Sequence, residues 1–161
     1  MDLKENTNQV FQQVTKAIQE TGREDGSVSV IAVTKYVDIA TAANLIDQGV
    51  KHIGENRVDK FLEKYHALSD KDVTWHLIGS LQRRKVKDII PYVDYFHALD
   101  SLKLAQEIQK RADRTVKCFL QVNISGEESK HGFSKEELLT VLPDLSSSVS
   151  YTHLRAHETV L

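Results

Sequence analysis

A lysine that directly follows a run of apolar, β-branched residues could take part in carbonyl chemistry. Val28–Thr34 is typical of a strand buried on both faces, and Lys35 stands where that strand ends. Burial disfavours a charged amine and lowers the pKa of a lysine from about 10.4, which makes the amine better able to attack a carbonyl carbon. The same pattern fits a strand that leaves the core with its ammonium group in water, and pattern alone favours that second interpretation.

Polar side chains also accompany the other predicted strands. Asn56 follows the second strand, His76 lies in the third, Asp100 follows the fourth and Asn123 ends the fifth. In parallel α/β folds, ligands bind at the edge formed by the carboxyl ends of the strands. We therefore expect any binding site to lie at this edge. Its other candidate residues are Thr34, Gly54, Glu55, Gly79, Ser80, Gln82, Glu127, Glu128, Lys130, His131 and Gly132.

An alternation of apolar strands and amphipathic helices predicts the elements that position these residues. An opening helix has apolar residues at helical spacing from Val10 to Ile18 and stops at Gly22. Five strand-helix units follow. Their strands are predicted at Val28–Thr34, His52–Gly54, Thr74–Gly79, Tyr95–Leu99 and Lys117–Ile124, and their helices at Asp38–Gly49, Arg57–Leu68, Arg83–Ile90, Leu102–Ala112 and Lys135–Leu142, with Asp38 as an N-cap.

This alternation predicts an α/β fold with a parallel sheet. Each strand is followed by a helix long enough for a crossover, and Asn-Gly or Asp-Gly turns between adjacent strands are missing. Two architectures fit: an open doubly wound sheet, or a (β/α) barrel with about five of its eight units. The first strand is followed by Lys35 and Tyr36 rather than a glycine-rich phosphate loop, which counts against a dinucleotide-binding domain.

Composition excludes several classes of protein. The 161 residues are 40% hydrophobic, and 21 Lys and Arg stand against 23 Asp and Glu for a formal charge of -2. This balance predicts neither a nucleic-acid nor a membrane partner. The single Cys118 cannot form an internal disulfide, and the N-terminus lacks the layout of a signal peptide. Apolar runs fall short of the roughly 20 residues that span a bilayer, so we expect a cytoplasmic protein.

Four segments resemble, in order and spacing, the pyridoxal phosphate homeostasis protein family: "VIAVTKYV" (Val30–Val37), "IGENRV" (Ile53–Val58), "WHLIGSLQRRKVK" (Trp75–Lys87) and "VNISGEESKHGF" (Val122–Phe133). The resemblance implies an incomplete (β/α) barrel of the alanine-racemase N-terminal type. It also implies that Lys35 holds pyridoxal 5'-phosphate as a Schiff base. By the same resemblance Asn56 lies near the cofactor, and His76 is a candidate for lining the pocket.

The resemblance implies a binder of pyridoxal phosphate that acts in vitamin B6 and amino-acid homeostasis, without established turnover and as a monomer. An alternative is an amino-acid racemase or decarboxylase of the same fold, which would need a second acid-base group across the cofactor. A third possibility is an anion- or RNA-binding domain that uses Arg83, Arg84, Lys85 and Lys87. No aromatic residues are interleaved with this basic cluster, so a solvated helix face explains it better. Cys118 alternates with Phe119 along a strand and is predicted to be a small buried residue.

The end of the chain departs from the pattern. Residues 1–147 are predicted to be the N-terminal portion of the barrel, and residues 148–161 a non-native tail, because "VSYTHLRAHETVL" (Val149–Leu161) resembles a translated sequencing adapter. His153 and His157 stand four residues apart, as two metal ligands on a helix would. We expect this spacing to be accidental, and we expect no metal site. The resemblance places the groups that hold the cofactor phosphate in later strands, which this sequence lacks.

Overall fold

Six parallel strands in sequence order form one sheet. The computed structural model describes residues 2–148 and 152–156. The strands are β1 (Ala32–Val33), β2 (His52–Glu55), β3 (Thr74–Leu77), β4 (Tyr95–Leu99), β5 (Lys117–Val122) and β6 (Thr152–Ala156). Each pairs in parallel with the strand that precedes it, so the order is β1-β2-β3-β4-β5-β6. A doubly wound sheet reverses its order at a switch point, whereas a barrel does not. This order therefore decides for the (β/α) barrel type.

The helices lie between the strands as their sequence periodicity predicts. They are α1 (Leu3–Glu20), α2 (Ile39–Asp47), α3 (Val58–Ala67), α4 (Val86–Ile89), α5 (Leu102–Arg111) and α6 (Lys135–Ser148). Side-chain hydrogen bonds cap the N-termini of α1, α2 and α5. Asp2 and Glu5 form a capping box on α1, Asp38 accepts a hydrogen bond from the Thr41 amide at α2, and Ser101 caps α5. The five predicted strand-helix units are confirmed.

Two predicted elements differ most from the structure in their extent. The strand predicted at Val28–Thr34 is reduced to β1, because Ala32 stands opposite Ile53 and β2 begins only one residue earlier, at His52. Residues before Ile31 therefore have no ladder partner in β2. The helix predicted at Arg83–Ile90 is a 3₁₀ turn (Arg83–Lys85), α4, and a second 3₁₀ turn (Ile90–Tyr92). Pro91 ends α4 because it has no N–H to donate to the preceding turn.

The two faces of the sheet have different surroundings. Trp75 of β3 packs against Phe61 and Tyr65 of α3, with ring centroids 5.5 and 5.4 Å apart. Successive strand residues point to opposite faces. His76 therefore lies on the face away from the helices, which is the interior face of a barrel. The helix-facing side holds the apolar core, which includes the fully buried Ile53, Leu77, Phe96 and Leu120.

The segment predicted to be a non-native tail contains β6. Its backbone pairs with β5 from Cys118 opposite Thr152 to Val122 opposite Ala156, which adds a strand beyond the five predicted units. His153 lies in this strand and not on a helix. His157 lies outside the described residues. Among the residues that are described, three or more metal-ligating side chains do not cluster anywhere. The foreign origin of residues 148–161 stays a prediction.

None of the described helices combines the length and the apolar character that crossing a membrane requires.

Candidate functional site at the carboxyl edge of the sheet

Lys35 lies just beyond the carboxyl end of β1, in a turn that leads to α2. Its side chain is exposed, and its Nζ atom stands 4.8 Å from the centroid of the Tyr36 ring, which is itself 89% exposed. The chain leaves the core at Thr34, so burial does not desolvate this amine, and the structure agrees with the second interpretation, in which the ammonium group lies in water. Lys35 lines a cavity of about 460 Å³, together with Tyr36, Val37, Asp38, Ile39, Ala40, Lys60, Glu63 and Lys64. This volume lies in the range of small-molecule sites.

The buried lysine at this end of the sheet is Lys64 of α3. Its side chain is 4% exposed, and its Nζ atom donates to the Glu55 carboxylate and to the Thr34 carbonyl oxygen, both at 2.5 Å. Glu55 is fully buried and also accepts a hydrogen bond of 2.6 Å from the Thr34 hydroxyl. Sequence reasoning missed Lys64 as a part of the site. The available signal was its place on the buried stripe of α3, three residues after Phe61 and four before Leu68.

Asn56 lies at the end of β2, beside the end of β3. Its side chain is exposed and lines a second cavity of about 580 Å³, with Arg57, Asp59, Ser80, Gln82 and Lys85 among its walls. The backbones of the two strand ends approach closely, since a Cβ atom on Gly79 would overlap the Asn56 carbonyl group. The amide of Ile78 donates to the Glu55 carbonyl oxygen at 2.8 Å in the same region. Only glycine fits at position 79 in this arrangement.

His76 belongs to a row of three histidines on the interior face of the sheet. Its Nε2 atom lies 2.9 Å from Nδ1 of His52, and its Nδ1 atom lies 2.8 Å from Nε2 of His97. Burial lowers the pKa of His76 to about 3, and the neighbouring His97 and His52 act in the same direction. The central imidazole is therefore neutral at physiological pH. Hydrogen bonding along the row requires complementary tautomers.

The row does not line either cavity. His76 stands opposite Gly54 in the ladder, and Gly54 stands opposite Val33, two residues before Lys35. The structure thus places His76 two strands away from the amine and about two residues deeper. Lys35 and Asn56 lie at the ends of neighbouring strands, in two separate cavities, and His76 lies below them.

The loop after β5 reaches the same edge. The Asn123 side chain organises it, accepting from the Gly126 amide at 3.1 Å and donating to the Glu127 carbonyl oxygen at 2.8 Å. Burial raises the pKa of Asp100 at the end of β4, and the charge of His131 opposes that shift. His131 therefore lies near Asp100, which places this loop beside the end of β4 at the carboxyl edge.

Two other sequence interpretations agree with the structure. Arg83, Arg84, Lys85 and Lys87 are all exposed, as expected of a solvated helix face. Cys118 is 1% exposed, and burial raises the pKa of its thiol to about 12, which fits a small core residue rather than a nucleophile.

Comparison with known proteins identifies the fold and the family. Residues 7–158 match the model of the alanine racemase N-terminal domain. The chain is 38% identical over 141 residues to the pyridoxal phosphate homeostasis protein of Aquifex aeolicus, and 33% identical over 137 residues to that of Pseudomonas aeruginosa. These matches cover 86% and 83% of this chain and 62% and 60% of the relatives. The chain therefore spans about three fifths of the length of these curated relatives.

Solved structures give the same result. PipY of Synechococcus elongatus PCC7942, solved with PLP bound, is 30% identical and superimposes with a TM-score of 0.78 over 91% of this chain and 71% of its own. An alanine racemase from Clostridium difficile is 15% identical, with a TM-score of 0.66 over 85% of this chain and 37% of its own, which shows the shared fold alone. The chain belongs to the alanine racemase N-terminal domain family, among the members known as pyridoxal phosphate homeostasis proteins.

Proposed function

We propose that this chain binds pyridoxal 5'-phosphate through a Schiff base on Lys35 and acts in the homeostasis of that cofactor and of amino acids. One observation carries the proposal: an exposed primary amine stands at the carboxyl end of β1, beside a cavity of about 460 Å³. The relative PipY, which has the same fold, binds PLP. An aldehyde-bearing ligand fits this site, because the amine is accessible and the cavity has the volume of a small-molecule site.

The exposure of Lys35 suits covalent attachment. An uncharged amine nitrogen adds to the aldehyde carbon, and the adduct then loses water to leave a carbon-nitrogen double bond. Solvent access lets the aldehyde approach and lets the water depart. When bound, the cofactor supplies an electron-withdrawing ring. Reversible attachment without further reaction is what a carrier requires.

Asn56 and His76 are proposed to act in different ways. The Asn56 side chain is exposed at the end of the strand next to β1, so its amide can donate to a ligand that extends from Lys35 towards β3. His76 is buried in the interior row, one strand further along, and lines neither cavity. We propose that it supports the floor of the site.

The surroundings of Lys35 favour a carrier over a racemase or decarboxylase. Those reactions need an acid-base group free to exchange a proton with the substrate. Among the described residues that line the Lys35 cavity, the charged neighbours have partners, and Tyr36 is 89% exposed to solvent. Asp38 caps α2, Lys60 pairs with Glu63 at 2.8 Å, and Lys64 pairs with Glu55.

The proposed partner is this small molecule and not a nucleic acid, and we propose a monomer. The formal charge of -2 and the exposure of the basic residues of the segment 83–87 support the first point. Light scattering of the protein in solution tests the second, and a mass of twice the chain would contradict it.

Borohydride trapping tests the attachment. The chain is mixed with one equivalent of pyridoxal phosphate, the carbon-nitrogen double bond is reduced to a stable secondary amine, and the modified lysine is located by peptide mass mapping. We expect modification concentrated on Lys35 and a visible absorbance band that Lys35→Ala abolishes. Lys71→Ala, at a partly exposed lysine outside the cavity, is the control and should leave both unchanged. A band of equal intensity in Lys35→Ala would contradict the proposal.

Proton exchange separates the carrier from the enzyme. Amino acids are incubated with the protein and pyridoxal phosphate in D₂O, and loss of the α-proton signal is followed by NMR. A carrier leaves the exchange at the rate of pyridoxal phosphate alone. Exchange that is faster than this and that depends on Lys35 would favour the racemase or decarboxylase.

A further inference from the structure

Thr34, the residue before Lys35, is held at three of its atoms. Its amide donates to the Gly54 carbonyl oxygen at 3.0 Å, and its hydroxyl donates to Glu55 at 2.6 Å. Its carbonyl oxygen accepts from Lys64 at 2.5 Å and from the Val37 amide at 3.1 Å. Thr34 is fully buried, whereas the next side chain is exposed. The fixed part of the chain therefore ends where the candidate attachment residue begins.

The bonds to Thr34 act on Lys35 through the peptide that joins them. The Thr34 carbonyl group and the Lys35 amide share one plane, since the peptide bond does not rotate. Holding the carbonyl oxygen fixes the orientation of that plane. It thereby limits the direction in which the Cα–Cβ bond of Lys35 leaves the backbone. The Lys35 side chain remains free to rotate beyond that point.

The buried pair of Glu55 and Lys64 is poorly explained by stability alone. Charges taken out of water lose solvation, and apolar residues of similar volume often stabilise a core as well or better. Glu55 Oε2 has no hydrogen-bond partner among the described residues, so the carboxylate is incompletely compensated. Both polar contacts of Lys64 lie where β1 and β2 end: one is with the Thr34 carbonyl oxygen and the other is with the Glu55 carboxylate.

We propose that Glu55 and Lys64 are positioning residues for Lys35: they fix the Thr34 peptide, and so direct the Lys35 amine towards the cavity. This inference rests on the proposed function, in which Lys35 bonds to the aldehyde of pyridoxal phosphate. Lys64 itself is not the attacking amine, because it is 4% exposed and engaged with Glu55.

The test compares how readily Lys35 reacts in several variants of the chain. Lys64→Met removes both contacts of that amine. Thr34→Val removes only the hydroxyl, and Thr34→Ser keeps it. Lys71→Met, which breaks the partly exposed pair with Asp47 at 2.7 Å, is the control. The measurement is borohydride trapping with limiting pyridoxal phosphate, read as the yield at Lys35 divided by the mean yield at the other lysines. This ratio corrects for overall trapping efficiency, and circular dichroism measures the folded fraction of each variant separately.

We expect Lys64→Met to lower the ratio by about tenfold or more, since small misplacements of a reacting group are costly. Thr34→Val should lower it less, and Thr34→Ser and Lys71→Met should keep the original value. Without any ligand, the amide of Val37 should exchange with deuterium faster in Lys64→Met than in Lys71→Met. A merely structural role would lower the melting temperature of Lys64→Met and leave the ratio unchanged.

The outcomes separate this inference from the proposed function. Suppose that the original chain is trapped at Lys35 and that Thr34→Val and folded Lys64→Met keep the ratio of the original chain. This result overturns the positioning role and leaves the proposed function intact. If Lys64→Met does not fold, the comparison of Thr34→Val with Thr34→Ser decides. Trapping at Lys64 contradicts the assignment of the amine. No trapping at Lys35 in the original chain contradicts the proposed function, and this inference with it.

Discussion

The Nδ1 atom of His76 lies 2.8 Å from the Nε2 atom of His97, across neighbouring strands of the sheet. Such a distance is a hydrogen bond between two imidazoles, one of which must accept. Protonation of the central ring would remove its acceptor nitrogen and place a positive charge among two more histidines. The interior of the sheet is thus arranged around an uncharged His76.

The first prediction concerns acid stability. The pKa of His76 falls from 6.5 to about 3 on folding. Between these values the unfolded state binds more protons than the folded state, so the free energy of unfolding should fall as pH is lowered from about 6.5 towards 3. The burial of His52 lowers its pKa in the same direction. Urea unfolding across this range measures the effect.

His76→Gln is the matched variant, because glutamine can donate and accept but does not titrate there. It should flatten the pH dependence, while His66→Gln, at an exposed position, should not. If the free energy of unfolding depends on pH equally in His76→Gln and in the original chain, the lowered pKa of His76 is contradicted.

The second prediction concerns the pair of Lys64 and Glu55. Lys64→Met leaves a buried carboxylate without its counter-charge, which costs about 3–5 kcal/mol of stability in comparable cases. Adding Glu55→Met should recover much of that loss, since both charges are then absent. Lys71→Met breaks a partly exposed pair at the surface and should cost less than about 1 kcal/mol. Urea midpoints measure all three variants. A double variant as unstable as Lys64→Met would show that lost packing, not charge, dominates.

The third prediction concerns the contact between the ends of β2 and β3. Gly79→Ala should destabilise the chain by about 1–3 kcal/mol or more, because its Cβ atom would overlap the Asn56 carbonyl group, which is backbone and cannot rotate away. Gly54→Ala is the control. Its Cβ atom would meet the Ile31 side chain at 3.1 Å, and a side chain can shift. Thermal unfolding compares the two, and a larger loss in Gly54→Ala would be the opposite of what the geometry implies.

The fourth prediction concerns the thiol. Burial raises the pKa of Cys118 to about 12, so the fraction of reactive thiolate is very small at neutral pH. Ellman's reagent should react with the folded chain many times more slowly than with the urea-unfolded chain, at pH 8. Similar rates in both states would mean that β5 opens readily.

The sequence was sufficient for the alternation of strands and helices, because apolar periodicity is a local property. The choice between a barrel and a doubly wound sheet required the strand order, which depends on pairing between distant segments. The predicted helix Arg83–Ile90 ends next to Pro91, as the missing N–H of proline requires, but its first residues form a 3₁₀ turn that the periodicity did not reveal.

The site was predicted in part. Lys35 and Asn56 lie at the expected edge, since each directly follows a strand. The pattern left open whether the Lys35 amine is buried, because the length of β1 beyond Val33 depends on its register with β2. The ion pair of Lys64 and Glu55 joins a helix to a strand, and the histidine row joins three strands. Neither follows from spacing along the chain.

The consecutive order of the strands bears on how the chain reaches this fold. From β2 to β5, each strand pairs with the one that was completed just before it, across a single helical connection. Loops to be closed are short, and the entropy lost in closing each one is correspondingly small. On the ribosome, every emerging strand meets a partner already exposed at the growing edge. The sheet can therefore assemble from its N-terminal side, one unit at a time, while synthesis continues.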